Sequence, residues 1–189
     1  MEENTIMNNH GYLELIMGCM FSGKTTKLLE IYNMYKVCDV DCCVINYSKD
    51  TRYSQTHLMS HDKKGIPCIF TDNLRAFCNK KDTLEKYSVF LINEGQFFPD
   101  LIDATRCLLV ANKKIYIAGL DGDFKQQKFG SMIDLIPIAD KYVKLYAICK
   151  KCKDGTKAVF SKRITNDTDQ TVIGSTNYIP VCRKCYFSE

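Results

Sequence analysis

No apolar run in this chain approaches the ~18 residues needed to carry a helix through a bilayer, so no membrane partner is expected. The opening residues, MEENTIMNNH, offer neither a basic leader nor a long apolar stretch, and secretion is not expected either. Excess charge is also missing. A net charge of +4 suits phosphate-bearing ligands but is too slight to point to nucleic acid. There is no internal repeat and no low-complexity segment. With only four prolines, 46% hydrophobic and 25% charged residues, the composition is that of a soluble globular protein. Its 189 residues suffice for one core-bearing domain and a small appendage. What the chain has in plenty is cysteine. Eleven of them without a secretory leader imply a reducing, cytoplasmic setting, with thiols that are buried, free or metal-bound.

Residues 12–17 (YLELIM) read as a first strand, and residues 25–36 show helical spacing with Leu28, Leu29, Ile31, Tyr32 and Tyr35 on one broad face. Residues 42–47 (CCVINY) read as a second buried strand, whereas 48–64 are polar, charged and aperiodic, as in a loop. A third strand is expected over 66–70 and a helical turn over 74–79. Further strands follow at 87–92 and 114–120, with a helix between them at 100–112. Alternating short strands and helices predict an α/β fold with a mainly parallel sheet. After residues 142–148 the texture changes to lysine-rich and turn-like, with short strands at 158–161 and 171–173. The expected division is an N-terminal extension (1–11), an α/β domain (12–147) and a small β subdomain (148–189).

Gly18-Cys19-Met20-Phe21-Ser22-Gly23-Lys24-Thr25 matches G-x-x-x-x-G-K-[ST] between a strand and a helix. Small residues there let backbone N–H groups wrap phosphates in front of the helix's positive end. By chance the pattern arises in roughly 1% of chains of this length, given average glycine usage. These eight residues are therefore candidate ATP ligands in a P-loop (RecA-like) domain, with Lys24 on the outer phosphates and Thr25 on Mg²⁺. The strand at 89–92 runs into Asn93 and Glu94, and the carboxyl ends of parallel strands face the ligand crevice. Both can reach the phosphates, and Glu94 is a candidate general base.

Cys149-Lys-Lys-Cys152 and Cys182-Arg-Lys-Cys185 have the spacing of a tetrahedral four-cysteine zinc site. Among eleven cysteines roughly 0.6 such pairs arise by chance, so position argues more strongly than count. Both pairs lie in the tail, which lacks the apolar mass to fold unaided and which one structural Zn²⁺ would cross-link.

In order along the chain, MFSGKTT (20–26), KDTRY (49–53), SHDK (60–63), EGQFFPD (94–100), GLDGDF (119–124), KFG (128–130), FSKR (160–163), VIG (172–174) and VCRKCYF (181–187) resemble the type II thymidine kinases of vertebrate cytosol and poxviruses. The resemblance spans residues 12–187 and looks closest to the compact poxvirus members. It implies ATP-dependent phosphorylation of the thymidine 5′-hydroxyl, with Glu94 as base and Arg52 stabilising charge on the moving phosphoryl group. Asp50 beside it would order the loop or the metal. It implies that Met20, Phe97, Leu120, Phe124 and Phe129 enclose the base and sugar; the residues alone read as ordinary core, and the family match reverses that for Phe97, Phe124 and Phe129. Ser161 stands where the family commonly has threonine near the base methyl. Gln170, Thr171, Val172, Ile173 and Gly174, with Tyr178, resemble a lasso loop whose backbone bonds the base, in place of a plain surface hairpin. A homotetramer and feedback by dTTP are implied in the same way.

The family pattern has Asp-Glu where this chain has Asn93-Glu94, and that aspartate helps hold Mg²⁺. The loss of charge leaves three readings: lowered turnover, compensation by Asp50 or Asp123, or a nucleotide binder without activity. Asp123 replaces a usual threonine, Cys19 a usual proline and Asn46 a usual lysine. A zinc-ribbon P-loop ATPase acting on nucleic acid is disfavoured by the short chain and low charge.

Overall fold

The computed structural model describes residues 10–50, 56–59, 65–78, 80–172, 174 and 176–188. In chain order the strands are β1 (Tyr12–Gly18), β2 (Cys42–Tyr47), β3 (His57–Met59), β4 (Gly65–Pro67), β5 (Ile69–Thr71), β6 (Val89–Ile92), β7 (Lys114–Gly119), β8 (Lys141–Leu145), β9 (Ala147–Ile148), β10 (Lys157–Ala158), β11 (Phe160–Arg163) and β12 (Tyr178–Val181). The α-helices are α1 (Lys24–Val37), α2 (Arg75–Cys78), α3 (Lys81–Lys86), α4 (Leu101–Val110) and α5 (Arg183–Phe187). None of the described helices is long and apolar enough to cross a membrane.

Six strands form one sheet in the order β5-β2-β6-β7-β1-β8, and every pairing in it is parallel. Parallel strands need cover on both faces, and the two-residue period of each strand divides its side chains accordingly. Leu13, Leu15, Cys43, Ile45, Phe90, Ile92, Ile115 and Ile117 join one core with α2, α4 and the 3₁₀ helix Ile133–Ile138. Ile16, Val44, Leu91, Tyr116 and Ala118 point the other way, into a core with α1 and the β3–β4 pair. One charge lies in that second layer. Glu14, 5% exposed, accepts from Tyr12 Oη at 3.0 Å and pairs with Lys141 Nζ at 3.0 Å.

The expected α/β architecture with a parallel sheet is therefore what forms. Three local expectations change. The loop expected over 48–64 contains β3, which pairs antiparallel with β4. The strand expected over 66–70 divides at Pro67, which ends β4, and Cys68, whose N–H turns to Thr56 O (3.2 Å). No strand forms at Thr171 or Val172. Val172 instead gives its carbonyl to Tyr178 Oη (3.2 Å), a side-chain partner in place of a ladder.

The C-terminal strands form two small antiparallel pairs, β9–β10 and β11–β12. Their core unites Ala147, Cys149, Ala158, Val181 and Cys182 with Cys19 of the glycine-rich loop. A tail with so little apolar mass thus packs onto the glycine-rich loop.

Candidate functional site

The carboxyl ends of β1, β2, β6 and β7 open onto one cleft, open to solvent at its mouth. The order of the sheet places it where the chain leaves β1 and crosses to β2 beyond two intervening strands, a place where α/β sheets bind ligands.

The glycine-rich loop forms one wall. Gly18 has φ +150°, and a Cβ there would meet Leu145 O at 2.5 Å and Ser22 Oγ at 2.8 Å. Gly23, in the left-handed region at φ 86°, turns the chain into α1. Met20 through Thr25 line the cleft, whereas Gly18 and Cys19 lie beneath it. Lys24 Nζ donates to Cys19 O at 2.7 Å, which keeps the ammonium over the loop. Ser22 Oγ is buried and has no hydrogen-bond partner among the described residues. A buried hydroxyl without a partner is one that a ligand oxygen at the loop could satisfy.

Opposite lies the turn after β6. Glu94 occupies the left-handed region (φ 56°, ψ 41°), uncommon for a residue with a Cβ, and its side chain lines the cleft. Gln96, 4% exposed, donates Nε2 to Glu94 Oε2 at 2.6 Å and accepts Leu120 N–H on Oε1 at 2.9 Å. The Glu94 carboxylate is thereby fixed to the end of β7. Asn93 Oδ1 lies 3.4 Å from Thr25 Oγ1, so the two candidate Mg²⁺ ligands are neighbours. A hydroxyl and an amide oxygen are suitable oxygen donors for that ion.

The aromatic residues gather at the other end. Phe97 stacks on Tyr47 (centroids 5.1 Å apart) and meets Phe129 edge-on at 5.4 Å. Met20, Leu120, Phe124 and Ser161 share this lining with Gln170, Thr171, Val172, Gly174 and Tyr178. Arg52 and Ile173 lie outside the described residues.

Asp123 is engaged within its own turn and with Gln170. Its Oδ1 accepts the N–H groups of Lys125 (2.8 Å) and Gln127 (2.9 Å), and Oδ2 accepts Gln170 Nε2 (2.8 Å). The carboxylate ties its own turn to Gln170.

Sequence reasoning did not single out Arg163. Its guanidinium lies 3.7 Å over the Phe124 ring and donates to the carbonyls of Asp167 (2.9 Å), Asp169 and Gln170 (3.2 Å) and to Tyr178 Oη. Tyr47 and Gln96 were also missed. Gln96 and Arg163 sit inside recognised motifs, two residues from Glu94 and Ser161, and that adjacency was the available signal.

In the tail, the sulphurs of Cys149, Cys152, Cys182 and Cys185 all lie within 4.8 Å of one another. A tetrahedral ion with Zn–S bonds of ~2.3 Å needs sulphurs about 3.8 Å apart. Cys152 Sγ is 3.8 Å from Cys182 Sγ and 3.4 Å from Cys185 Sγ. Burial pushes the Cys149 thiol up, but N–H groups of Cys152, Cys182 and Lys151 outweigh it and bring its pKa down to about 6. A thiolate cradled by amides is a ready zinc ligand.

A sequence model described as thymidine kinase matches residues 11–186. The chain belongs to the thymidine kinase family. The thymidine kinase of raccoon poxvirus is 40% identical over 182 residues, covering 96% of this chain and 99% of its own. That of sheeppox virus strain KS-1 is 39% identical over 183 residues (96% and 99%), and that of vaccinia virus strain Ankara 38% over 179 (94% and 98%). Among solved structures, domain III of the replication initiation protein DnaA of Thermotoga maritima superposes with TM-score 0.43 and 15% identity, over 74% of this chain and 56% of that one.

Proposed function

We propose that this chain transfers the γ-phosphoryl group of ATP to the 5′-hydroxyl of thymidine, giving TMP and ADP. The observation that carries the reading is the shared cleft: the glycine-rich loop, Glu94 and the aromatic cluster line one continuous space.

The loop amides and Ser22 hold the phosphates, and Lys24 exchanges Cys19 O for phosphate oxygens when nucleotide enters. Thr25 and Asn93 would hold Mg²⁺, which would neutralise phosphate charge. Glu94, steadied by Gln96, accepts the proton of the 5′-hydroxyl as its oxygen bonds to phosphorus and the bond to the ADP oxygen breaks. Arg52 stabilises the phosphoryl charge. Phe97 and Phe129 enclose the nucleoside, and residues 170–174 with Tyr178 close over it, held by Arg163 and Asp123. Backbone pairing there rejects bases that would leave buried polar groups unmatched. One zinc ion on the four cysteines cross-links the tail beneath the loop.

A steady-state assay with thymidine and Mg·ATP tests this proposal. TMP formation well above a Glu94→Ala control supports it. Binding of both ligands with turnover no higher than that control identifies a nucleotide binder instead.

A further inference from the structure

Four polar side chains lead away from the phosphate loop in a line, and their hydrogen bonds have a direction. Thr25 Oγ1 donates to Asn93 Oδ1 (3.4 Å), Asn93 Nδ2 to Asn46 Oδ1 (2.9 Å), and Asn46 Nδ2 to Asp50 Oδ2 (3.3 Å). The line exists because β2 and β6 pair in register, Ile45 beside Ile92, so the residues just beyond meet as neighbours. Both asparagines are buried, at 3% and 4% exposure, where their polar atoms have little access to water.

An asparagine side chain keeps its shape when oxygen and nitrogen exchange places, so something must decide which of them faces Thr25. The far end decides it. A carboxylate only accepts, which obliges Asn46 to give Asp50 its nitrogen and leaves its oxygen for Asn93. Asn93 must then give its nitrogen to Asn46, and its oxygen turns to Thr25. We propose that Asp50, acting through Asn46, is a positioning residue that fixes Asn93 with its oxygen toward the metal side of the cleft. A neutral side chain thereby becomes competent to hold Mg²⁺, which an –NH₂ group facing that way would repel. The proposal rests on the reading of the cleft as a Mg·ATP site.

Restoring charge at position 93 alone does not improve such a line. After Asn93→Asp nothing is left to donate to Asn46 Oδ1. Turning Asn46 over to donate to the new carboxylate would set its oxygen against the oxygens of Asp50. Adding Asp50→Asn reverses the whole line: the new amide at 50 donates to Asn46 Oδ1, and Asn46 Nδ2 donates to the new carboxylate at 93.

The test is Mn²⁺ binding to the zinc-loaded protein with ADP, read from the electron paramagnetic resonance of free Mn²⁺, beside TMP formation against Mg²⁺ concentration. Asn46→Leu and Asp50→Asn are each expected to weaken Mn²⁺ binding about tenfold, the usual cost of losing a group behind a metal ligand, with ADP affinity in metal-free buffer unchanged. Asn93→Asp is expected to bind no more tightly than wild type. The double variant Asn93→Asp/Asp50→Asn should bind about tenfold more tightly than Asn93→Asp, and it stays informative where Asn46→Leu fails to fold. Equal affinity in Asn93→Asp and the double variant overturns the proposal, as does wild-type Mn²⁺ affinity in both Asn46→Leu and Asp50→Asn. Absence of TMP with the Mn²⁺ order intact sinks the kinase reading and leaves the relay standing; TMP formation without that order does the reverse.

Discussion

Replacing Arg163 with methionine should uncouple the nucleoside end of the cleft from the phosphate end. The side chain is 8% exposed, lies over Phe124 and holds the carbonyls of Asp167, Asp169 and Gln170 together with Tyr178. Hydrogen bonds from a charged donor each contribute about 1.5–3 kcal/mol net. Asp167, Asp169 and Gln170 are exposed, so their carbonyls recover water once the guanidinium is gone, and their share is largely returned. What is lost is the bond to Tyr178 and a cation–π contact of about 1–2 kcal/mol. The closed lasso should therefore weaken by roughly 3 kcal/mol, or about 100-fold at 1.4 kcal/mol per decade. Because methionine retains the stem, the β11–β12 pair should survive. The assay is steady-state kinetics with each substrate varied in turn, together with amide hydrogen exchange over residues 164–172. KM for thymidine should rise about 100-fold, KM for ATP should stay within twofold, and exchange should accelerate only in the lasso. Arg163→Lys, which keeps the charge but not the planar fork, should fall between. A thymidine KM within threefold of wild type alongside accelerated exchange would refute the reasoning, because the lasso would then be open without consequence.

Three further outcomes follow from the same contacts. Glu94→Gln should lower kcat by about 10²–10⁴ if the carboxylate takes the proton, and Gln96→Leu, which only unfastens it, should cost less; rapid-quench turnover distinguishes the two. Cys152→Ser should abolish stoichiometric zinc and expose residues 148–188 to limited proteolysis, and chelation of the wild type should do the same. Above pH 9 the melting temperature should fall, as measured by calorimetry under reducing conditions. Burial raises the Cys43 and Cys78 thiols to about 12 from an ordinary 9.0, so unfolded thiols shed protons there while folded ones do not. Stability from these groups is complete below pH 9 and is lost as pH rises toward 12, and Cys43→Ala should flatten the slope.

What could be read in advance was local. The glycine-rich motif is eight contiguous residues, and β1 and α1 on either side carry short apolar runs, 15–17 and 28–29 with Ile31. The two cysteine pairs could be matched because metal geometry imposes spacing. The β3–β4 pair escaped because three-residue strands carry no period, and Ile133–Ile138 because Pro137 masks its helical character. The contacts of Gln96 and Arg163 depend on partners supplied by folding. Leu120 N–H is 24 residues from Gln96, and Phe124 is brought under Arg163 only when the tail docks. The two departures at 46 and 93 looked independent along the chain, yet their amides share a hydrogen bond across 47 positions.

Among the described residues, the glycine-rich loop is joined to the tail by Met20 N–H to Ser161 Oγ (2.9 Å) and Cys19 Sγ to Ala158 O (3.4 Å). Cys19 also belongs to the same buried cluster as Cys149 and Cys182. The loop therefore packs on the same small core as two of the four clustered cysteines. A chain cut short after β8 would keep every residue of its nucleotide motif and lose the floor on which that motif is shaped.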